Sequence, residues 1–448
     1  MSAPKGSVFF RSLGCPKNQL DTEVMLGSLA IDGYALAERL EDADVAVVNT
    51  CSFIESAREE SIEAILELAD LRETGKLRGL VVAGCLPQRY GGELAKELPE
   101  VDVFVGTGAF QGISGILDDA LAGKGRGVYV EAGKTHLYDD ASPRVLIGHG
   151  HSAYVKIAEG CDRICAFCAI PGIRGGFQSR NLDSLVREAE QLSESGAREL
   201  NLVAQDSTSW GKDLPGRPGL DQLLRALDDV EGLDWIRQLY LYPSAVTDEV
   251  IEAIGGGQRV LPYVDVPLQH ASDRLLKAMK RGTTADRQWQ LVERLRAGIP
   301  GLTLRTTFIV GFPGETDEDF EALMEFVRAV RFDRLGVFRY SDEEDTAALA
   351  YGEKVPRKVA RERWKALTAL QSEIMAESLA ARVGEEAPVL VDSVLGSGSA
   401  LGRLASQAPE IDGVTFLKGN DLRPGDLVRA RLTGVRGGVD LEAEAFSS

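Results

Sequence analysis

The sequence predicts an α/β chain in three parts: an N-terminal doubly wound parallel sheet, a central partial (βα)6 barrel and a small C-terminal antiparallel β-barrel. Near the amino end, short apolar runs alternate with helical patterns, which is typical of a parallel sheet with helices on both faces. Six strand–helix pairs follow, too few for a closed eight-fold barrel. Beyond Gly384, short strands separated by turn residues indicate a small barrel.

The domain boundaries follow from these changes in pattern. A long helical pattern from Pro356 to about Ala381 joins the central part to the C-terminal barrel. The predicted segments are the N-terminal domain at 6–121, a linker rich in Gly, His and Asp at 122–146, the central core at 147–378 and the C-terminal barrel at 380–446.

Three cysteines of the N-terminal domain share one topological position. Cys15, Cys51 and Cys85 each follow a short apolar run that we interpret as a strand. Parallel sheets place ligand sites beyond the carboxyl ends of their strands, so three loops can bring three thiolates together here. The alternative is that each cysteine is a small buried apolar residue. Three cysteines at the same position favour the ligand site.

The central core contains the most informative stretch of the chain. Cys161, Cys165 and Cys168 form a C-x3-C-x2-C triplet directly after the first core strand. Soft thiolates select iron–sulfur clusters or zinc, and three ligands leave one iron of a 4Fe-4S cluster open. Zinc needs a fourth ligand, for which His149 and His151 are the nearby candidates, and we interpret both as linker histidines. The predicted core strands are 153–158, 199–204, 235–241, 263–267, 302–310 and 335–340.

Composition excludes several classes of protein. The chain has 448 residues and a net charge of −19, so long-range attraction to nucleic acid is disfavoured and a basic partner is favoured. No apolar run is long enough to cross a membrane, and the first residues lack a signal core. Six cysteines in so long a chain form no disulfide framework. We therefore expect a cytoplasmic protein.

The stretch from Ile157 to Gly175 closely resembles the cysteine motif of the radical SAM methylthiotransferases. In that family the three cysteines hold a 4Fe-4S cluster, and its open iron binds S-adenosylmethionine. The segments around the other three cysteines resemble the N-terminal module of the family, which holds a second 4Fe-4S cluster. The C-terminal barrel resembles the TRAM module. The resemblance thus covers nearly the whole chain.

The family has two main branches, which differ in substrate. One modifies an adenosine in tRNA, and the other modifies the β-carbon of an aspartate in ribosomal protein S12. Charge gives independent support for the protein branch, since residues 380–446 carry seven Lys or Arg against ten Asp or Glu, a net charge of −3, whereas a tRNA-binding domain should be basic. The segments that resemble the protein-modifying branch are Cys15–Asn18, Ala204–Asp206, Val266–Ser272 and Phe338–Ser341.

The resemblance also implies which residues form the sites. The metal ligands are Cys15, Cys51, Cys85, Cys161, Cys165 and Cys168, and the contacts to S-adenosylmethionine are Phe167, Gln205, Gln269 and Gly311. No catalytic acid–base residue is expected, because the cofactor supplies the radical chemistry.

Several of these positions also have a structural interpretation. The segment from Gly311 to Thr316 can equally be a strand-to-helix turn in which Thr316 and Asp319 form a capping-box-like arrangement. Gln205 and its neighbour Asp206 can cap their loop. Arg174 can bind a carboxylate of substrate or cofactor, or form a structural ion pair. Asp345 stands where the protein-modifying branch more often has glycine. The backbone conformation at this position is therefore open, because glycine adopts conformations that other residues rarely adopt.

The expected partners are ribosomal protein S12 and an electron donor such as flavodoxin or ferredoxin, and the chain is expected to act as a monomer. Three alternatives compete with the main hypothesis. The first is a tRNA adenosine methylthiotransferase with the same cysteine sites. The second is a non-catalytic RNA- or ribosome-binding module, which has no use for two three-thiolate sites. The third is an electron-transfer protein, which would usually close each cluster with four ligands.

Overall fold

A computed structural model describes residues 4–124, 126–131, 133, 135–396 and 398–446. The N-terminal domain is a six-stranded sheet in which every neighbouring pair is parallel, in the order β2-β1-β3-β4-β5-β6. Its strands are β1 (Ser7–Ser12), β2 (Ala35–Leu36), β3 (Val45–Thr50), β4 (Gly79–Gly84), β5 (Val103–Val105) and β6 (Gly127–Tyr129). Its helices are α1 (Pro16–Ile31), α2 (Glu55–Glu73), α3 (Cys85–Glu97) and α4 (Ile113–Leu121).

The sheet is doubly wound because successive side chains of its strands face opposite sides. Val45 and Val47 of β3 pack with α1 and α4, whereas Ala46 and Val48 pack with α2 and α3. The strand order reverses between β1 and β3, so a crevice opens at the carboxyl ends of these two strands. The strand Gly127–Tyr129 lies within the segment that the sequence analysis assigned to a linker. This strand is short and half-exposed, and so carries little apolar signal.

The central core is an open barrel of six parallel strands, as predicted. Three strands pair in the order β11-β10-β7 and three in the order β12-β13-β14, and a parallel bridge between Ile236 and Val260 joins the two groups. The six barrel strands are β7 (Ser152–Lys156), β10 (Glu199–Val203), β11 (Trp235–Gln238), β12 (Tyr263–Asp265), β13 (Thr303–Val310) and β14 (Arg334–Arg339). Two short strands, β8 (Ala158–Glu159) and β9 (Gln178–Ser179), form a separate antiparallel pair. The core helices are α5 (Ile170–Arg174), α6 (Leu182–Glu194), α7 (Leu220–Asp228), α8 (Asp248–Gly256), α9 (Asp273–Ala278), α10 (Ala285–Gly298), α11 (Asp317–Val330) and α12 (Arg357–Ala381).

The C-terminal barrel is closed, in the strand order β15-β16-β17-β19-β18. The sequence predicted an antiparallel barrel, and four of its five pairings are antiparallel, but β17 and β19 run parallel. A ring of five strands cannot alternate direction all the way round, so one parallel pair is required. The strands are β15 (Glu386–Gly396), β16 (Ser399–Leu404), β17 (Thr415–Lys418), β18 (Leu427–Arg436) and β19 (Asp440–Ala445).

Buried ion pairs attach this barrel to the amino ends of the core strands. Glu199, at the start of β10, accepts hydrogen bonds from Arg237 of β11 at 3.0 Å and lies 2.8 Å from the guanidinium of Arg403 in β16. Arg403 also pairs with Asp392, which contacts His151 at 3.0 Å. His151 was interpreted as a linker histidine. It is instead buried in this network, at the opposite end of β7 from the cysteine triplet.

None of the helices in the described part of the chain combines the length and the apolar composition needed to span a bilayer.

Candidate functional site: two cysteine loops at one cavity

The three N-terminal cysteines lie at the carboxyl ends of three adjacent strands. Cys15 follows β1, Cys51 follows β3 and Cys85 follows β4. Gly14 permits this approach because a Cβ there would lie 2.7 Å from the Cβ of Cys51, and its φ is +91°. Burial raises the pKa of Cys85 to about 12. The structure therefore brings the three predicted ligands to one crevice, with Cys51 and Cys85 buried and Cys15 partly exposed.

The second cysteine site is a loop that follows β8 and precedes α5. The amide of Cys161 donates to the carbonyl of Gly175 at 3.1 Å, and the amide of Ala166 donates to Met279 at 3.0 Å. These bonds anchor the loop near its start and in its interior. Burial raises the pKa of Cys161 to about 11 and that of Cys168 to about 12. Thiols held protonated in this way release their protons when a metal binds.

An arginine donates to one sulfur at each site. Arg281 donates to Cys165 Sγ at 3.2 Å, and Arg174 donates to Cys85 Sγ at 3.2 Å. Arg174 belongs to the core, so its contact crosses between domains. The sequence did not single out Arg281, which lies three residues beyond α9 and follows another basic residue, Lys280, so that its charge alone did not indicate the contact.

Arg174 belongs to a buried group of four charges between the two cysteine sites. Its guanidinium donates to Asp21 at 2.7 Å and to Glu159 at 3.3 Å. Lys156 donates to the same two carboxylates at 2.5 and 2.6 Å. Two cations and two anions balance, as buried charges require. Glu159 also accepts from the amide of Gly160, the residue before Cys161. Of the two interpretations offered for Arg174, the structure supports the ion pair.

A cavity of about 100 Å³ lies between the two cysteine loops. One wall includes Phe53, two residues after Cys51, and another includes Phe167, which lies between Cys165 and Cys168. The remaining lining residues are Ile54, Gln269, Thr307, Ile309, Phe338, Arg339, Tyr340, Ser341 and Glu343. A group held in this cavity is therefore within reach of both loops.

Two of the four predicted cofactor contacts line this cavity, Phe167 and Gln269. Gln269 has φ of +74°, and its buried carboxamide oxygen has no hydrogen-bond partner among the described residues. The carboxamide oxygen of Gln205 is likewise buried without a partner, while its Nε2 donates to Glu159. The carboxylate of Asp206 accepts a hydrogen bond from Nε of Arg163 at 2.7 Å. Buried polar atoms normally have partners, so both glutamines are suited to receive hydrogen bonds from a bound ligand.

Gly311 has a structural role in the observed fold. Its φ is +76°, and a Cβ there would lie 2.5 Å from the Cβ of Ala360 in α12. Its amide donates to the carboxylate of Glu315. The capping box formed by Thr316 and Asp319 at the start of α11 is present, as expected. The cofactor contact at Gly311 stays a prediction, while close packing on α12 already explains why this position has no side chain.

Asp345 adopts the left-handed conformation, with φ of +63°. This is the conformation for which glycine is preferred, and Asp and Asn are the other residues that tolerate it. The departure from glycine therefore leaves the turn intact.

The donor atoms fit the cofactors that the sequence analysis expected. Among the described residues, no group of three His, Cys, Asp or Glu is arranged around a single metal ion. A four-iron cluster requires a different arrangement, because each thiolate binds a separate iron and the sulfurs stand apart. Three soft thiolates in a largely buried loop, repeated at two sites, fit two such clusters. The unpartnered oxygens of Gln205 and Gln269 fit a polar cofactor beside them.

Comparison with known families agrees with this arrangement domain by domain. Residues 7–106 match the model described as Uncharacterized protein family UPF0004. Residues 155–327 match the Radical SAM superfamily, and residues 383–446 match the TRAM domain.

Solved structures with a similar fold include a radical S-adenosylmethionine methyltransferase, TsrM, from Kitasatospora setae. It has a TM-score of 0.54 and 17% sequence identity, and the match covers 75% of this chain and 73% of that one. The cobalamin-dependent radical enzyme OxsB has a TM-score of 0.52 at 13% identity, and the match covers 83% of this chain and 56% of that one. At these identities the likeness concerns the fold alone.

Curated relatives are far more similar. Proteins named ribosomal protein uS12 methylthiotransferase RimO are 50% identical over 428 residues in Anaeromyxobacter sp. (strain K), covering 95% of this chain and 90% of the relative. The protein of the same name in Myxococcus xanthus (strain DK1622) is 48% identical, covering 96% and 90%. The one in Geobacter sulfurreducens (strain ATCC 51573 / DSM 12127 / PCA) is 46% identical, covering 97% of both chains. With the loops of two three-cysteine sites lining one cavity and relatives of this similarity along nearly its whole length, the chain belongs to the RimO family of radical SAM methylthiotransferases.

Proposed function

We propose that this chain attaches a methylthio group to the β-carbon of an aspartate in ribosomal protein S12. The observation that carries the proposal is the single cavity that touches both cysteine loops, through Phe53 on one side and Phe167 on the other. The near full-length similarity to proteins named for uS12 supports S12 as the substrate. The net charge of −19 suits a basic protein partner. The tRNA alternative is not favoured by the same relatives.

The cofactors are two 4Fe-4S clusters and S-adenosylmethionine. When bound, they supply a carbon radical that removes an unactivated hydrogen atom, together with the sulfur and the methyl group. The chain itself holds these groups in a fixed relation. Arg174, Asp21, Glu159 and Lys156 tie the N-terminal site to the core through buried ion pairs. The apolar cavity walls, such as Phe53 and Ile309, exclude water from the reacting carbon.

The N-terminal domain is also clamped to the loop after β14. The carboxylate of Glu343 accepts a hydrogen bond from Arg89 at 2.9 Å and another from Arg58. Glu343 is 2% exposed, so this contact is screened little by solvent. The clamp lies at the edge of the cavity and keeps its two walls together.

An anaerobic assay tests the proposal. The cluster-reconstituted protein is incubated with S-adenosylmethionine, reductant and sulfide, and with either S12 or tRNA that contains isopentenyladenosine. Mass spectrometry should show a methylthio gain on an aspartate of S12, absent with Cys161→Ala and with Cys51→Ala. Ser195→Ala, at an exposed helix end, is a matched control and should retain the gain. Modification of the tRNA alone would reject the proposal.

Three further features belong to the proposal as predictions. These are the domain boundaries 6–121, 122–146, 147–378 and 380–446, a monomeric state, and reduction by a flavodoxin or ferredoxin. Limited proteolysis, light scattering and a reduction assay with each purified donor test them in turn.

A further inference from the structure

The cavity between the cysteine loops is lined by two charged side chains, Arg339 and Glu343. Glu343 is neutralised by Arg58 and Arg89. The guanidinium of Arg339, at the carboxyl end of β14, makes no hydrogen bond or ion pair with any residue that the structure describes. A cation without a partner at the wall of a reaction cavity is suited to bind an anion.

The same arginine faces a wide entrance. A groove of about 940 Å³ shares Ile54, Phe338, Arg339, Tyr340 and Ser341 with the cavity and continues between α2 and α12. The groove is open enough for a protein loop, whereas the cavity admits one small side chain. Arg339 lies where the two meet, and a side chain that enters from the groove therefore passes its guanidinium.

We propose that Arg339 binds the carboxylate of the reacting aspartate and so selects aspartate as the substrate side chain. This inference rests on the proposed function. A guanidinium binds a carboxylate through two parallel hydrogen bonds, which fix the orientation of the carboxylate. The β-carbon is bonded directly to that carboxylate. Holding the carboxylate at Arg339 therefore directs the β-carbon into the cavity, between Phe53 and Phe167. An adenine base offers no anion at this point.

Binding measurements test the role of Arg339 directly. The affinity of the reconstituted protein for S12, and for S12 with its target aspartate changed to asparagine, is measured by fluorescence anisotropy at fixed ionic strength. The wild-type protein should prefer the aspartate form by about 10- to 100-fold, the range of a charge-assisted hydrogen bond. Arg339→Met should bind both forms equally, and Arg339→Lys should retain part of the preference.

Arg361→Met is the matched control. Arg361 is an exposed arginine that lines the groove but not the cavity, and it has no ion pair among the described residues. Arg361→Met should change the preference for the aspartate form of S12 by less than about threefold, as expected for an exposed charge. Equal effects of the two variants would indicate general charge attraction and overturn the inference.

Two other results would also overturn it. One is an undiminished preference for aspartate in Arg339→Met. The other is a loss of affinity for S-adenosylmethionine in that variant as large as its loss for S12, because Arg339 would then serve the cofactor. Failure of the wild-type protein to modify S12 would instead reject the proposed function, so the two failures are distinguishable. Since Arg339 is exposed and unpartnered, neither substitution removes a contact on which folding depends.

Discussion

Arg174→Met is expected to lower the midpoint reduction potential of the N-terminal cluster. The guanidinium lies 3.2 Å from Cys85 Sγ and is 2% exposed. Two unit charges at this separation attract by about 5 kcal/mol at an effective dielectric constant near 20. The electron added on reduction is shared by the whole cluster, so about a quarter of this energy depends on redox state. Since about 1.4 kcal/mol corresponds to 59 mV for one electron, the loss of Arg174 should lower the potential by about 50 mV.

An anaerobic redox titration followed by electron paramagnetic resonance measures this shift. The background is Cys161→Ala/Cys165→Ala/Cys168→Ala, which leaves only the N-terminal cluster. Arg174→Lys, which keeps the charge, should shift the potential by less than Arg174→Met. Arg281→Met, at the other site, should leave it unchanged. An unchanged or higher potential in Arg174→Met, at equal iron content, would refute the electrostatic reasoning.

Three further predictions concern stability, each measured by urea unfolding followed through tryptophan fluorescence. Thr316→Ala removes the capping box of α11 and should lower the free energy of unfolding by about 1 kcal/mol; no change would mean that the cap is dispensable. Burial raises the pKa of Glu199, but Arg403 and Arg237 lower it from 4.5 to about 2. Because the pKa of Glu199 is lower in the folded state than in the unfolded state, its carboxylate should add about 3 kcal/mol to the free energy of unfolding above pH 4.5, and this contribution should be lost as the pH falls towards 2. Glu199→Gln should lack that pH dependence. Gly311→Ala should destabilise by about 1–3 kcal/mol through strain and overlap with Ala360, and Ala360→Gly should restore part of the loss if packing is the cause.

The positions of the N-terminal cysteines were predictable because they depend only on the residues next to them in sequence. A cysteine after an apolar run in a parallel sheet must lie at the carboxyl edge, so Cys15, Cys51 and Cys85 were placed correctly before their contacts were known. The capping residues Thr316 and Asp319 were predictable for the same reason, since they lie three residues apart.

Contacts between distant parts of the chain were not predictable. Arg174 lies 89 residues from Cys85, and nothing in either segment indicates that they meet. Glu343 pairs with arginines more than 250 residues away, and nothing in the neighbouring sequence distinguishes it from an acidic residue on the surface. The glycine at 311 was ambiguous because close packing and cofactor approach require the same absence of a side chain. The parallel pair in the C-terminal barrel follows only once its five strands are known to close.

The clamp between Glu343 and the two arginines of the N-terminal domain restricts which domain exchanges between this enzyme and its relatives can give a functional protein. An exchange that brings in an N-terminal domain without arginines at the positions of Arg58 and Arg89 would leave Glu343 as a buried carboxylate without a counter-ion. Such hybrid enzymes should therefore function only when the loop that follows β14 is inherited together with the N-terminal domain. The unit that must be exchanged as a whole is then discontinuous in sequence, because it combines the N-terminal domain with the loop that follows β14. A single crossover between the N-terminal domain and the core would divide this unit.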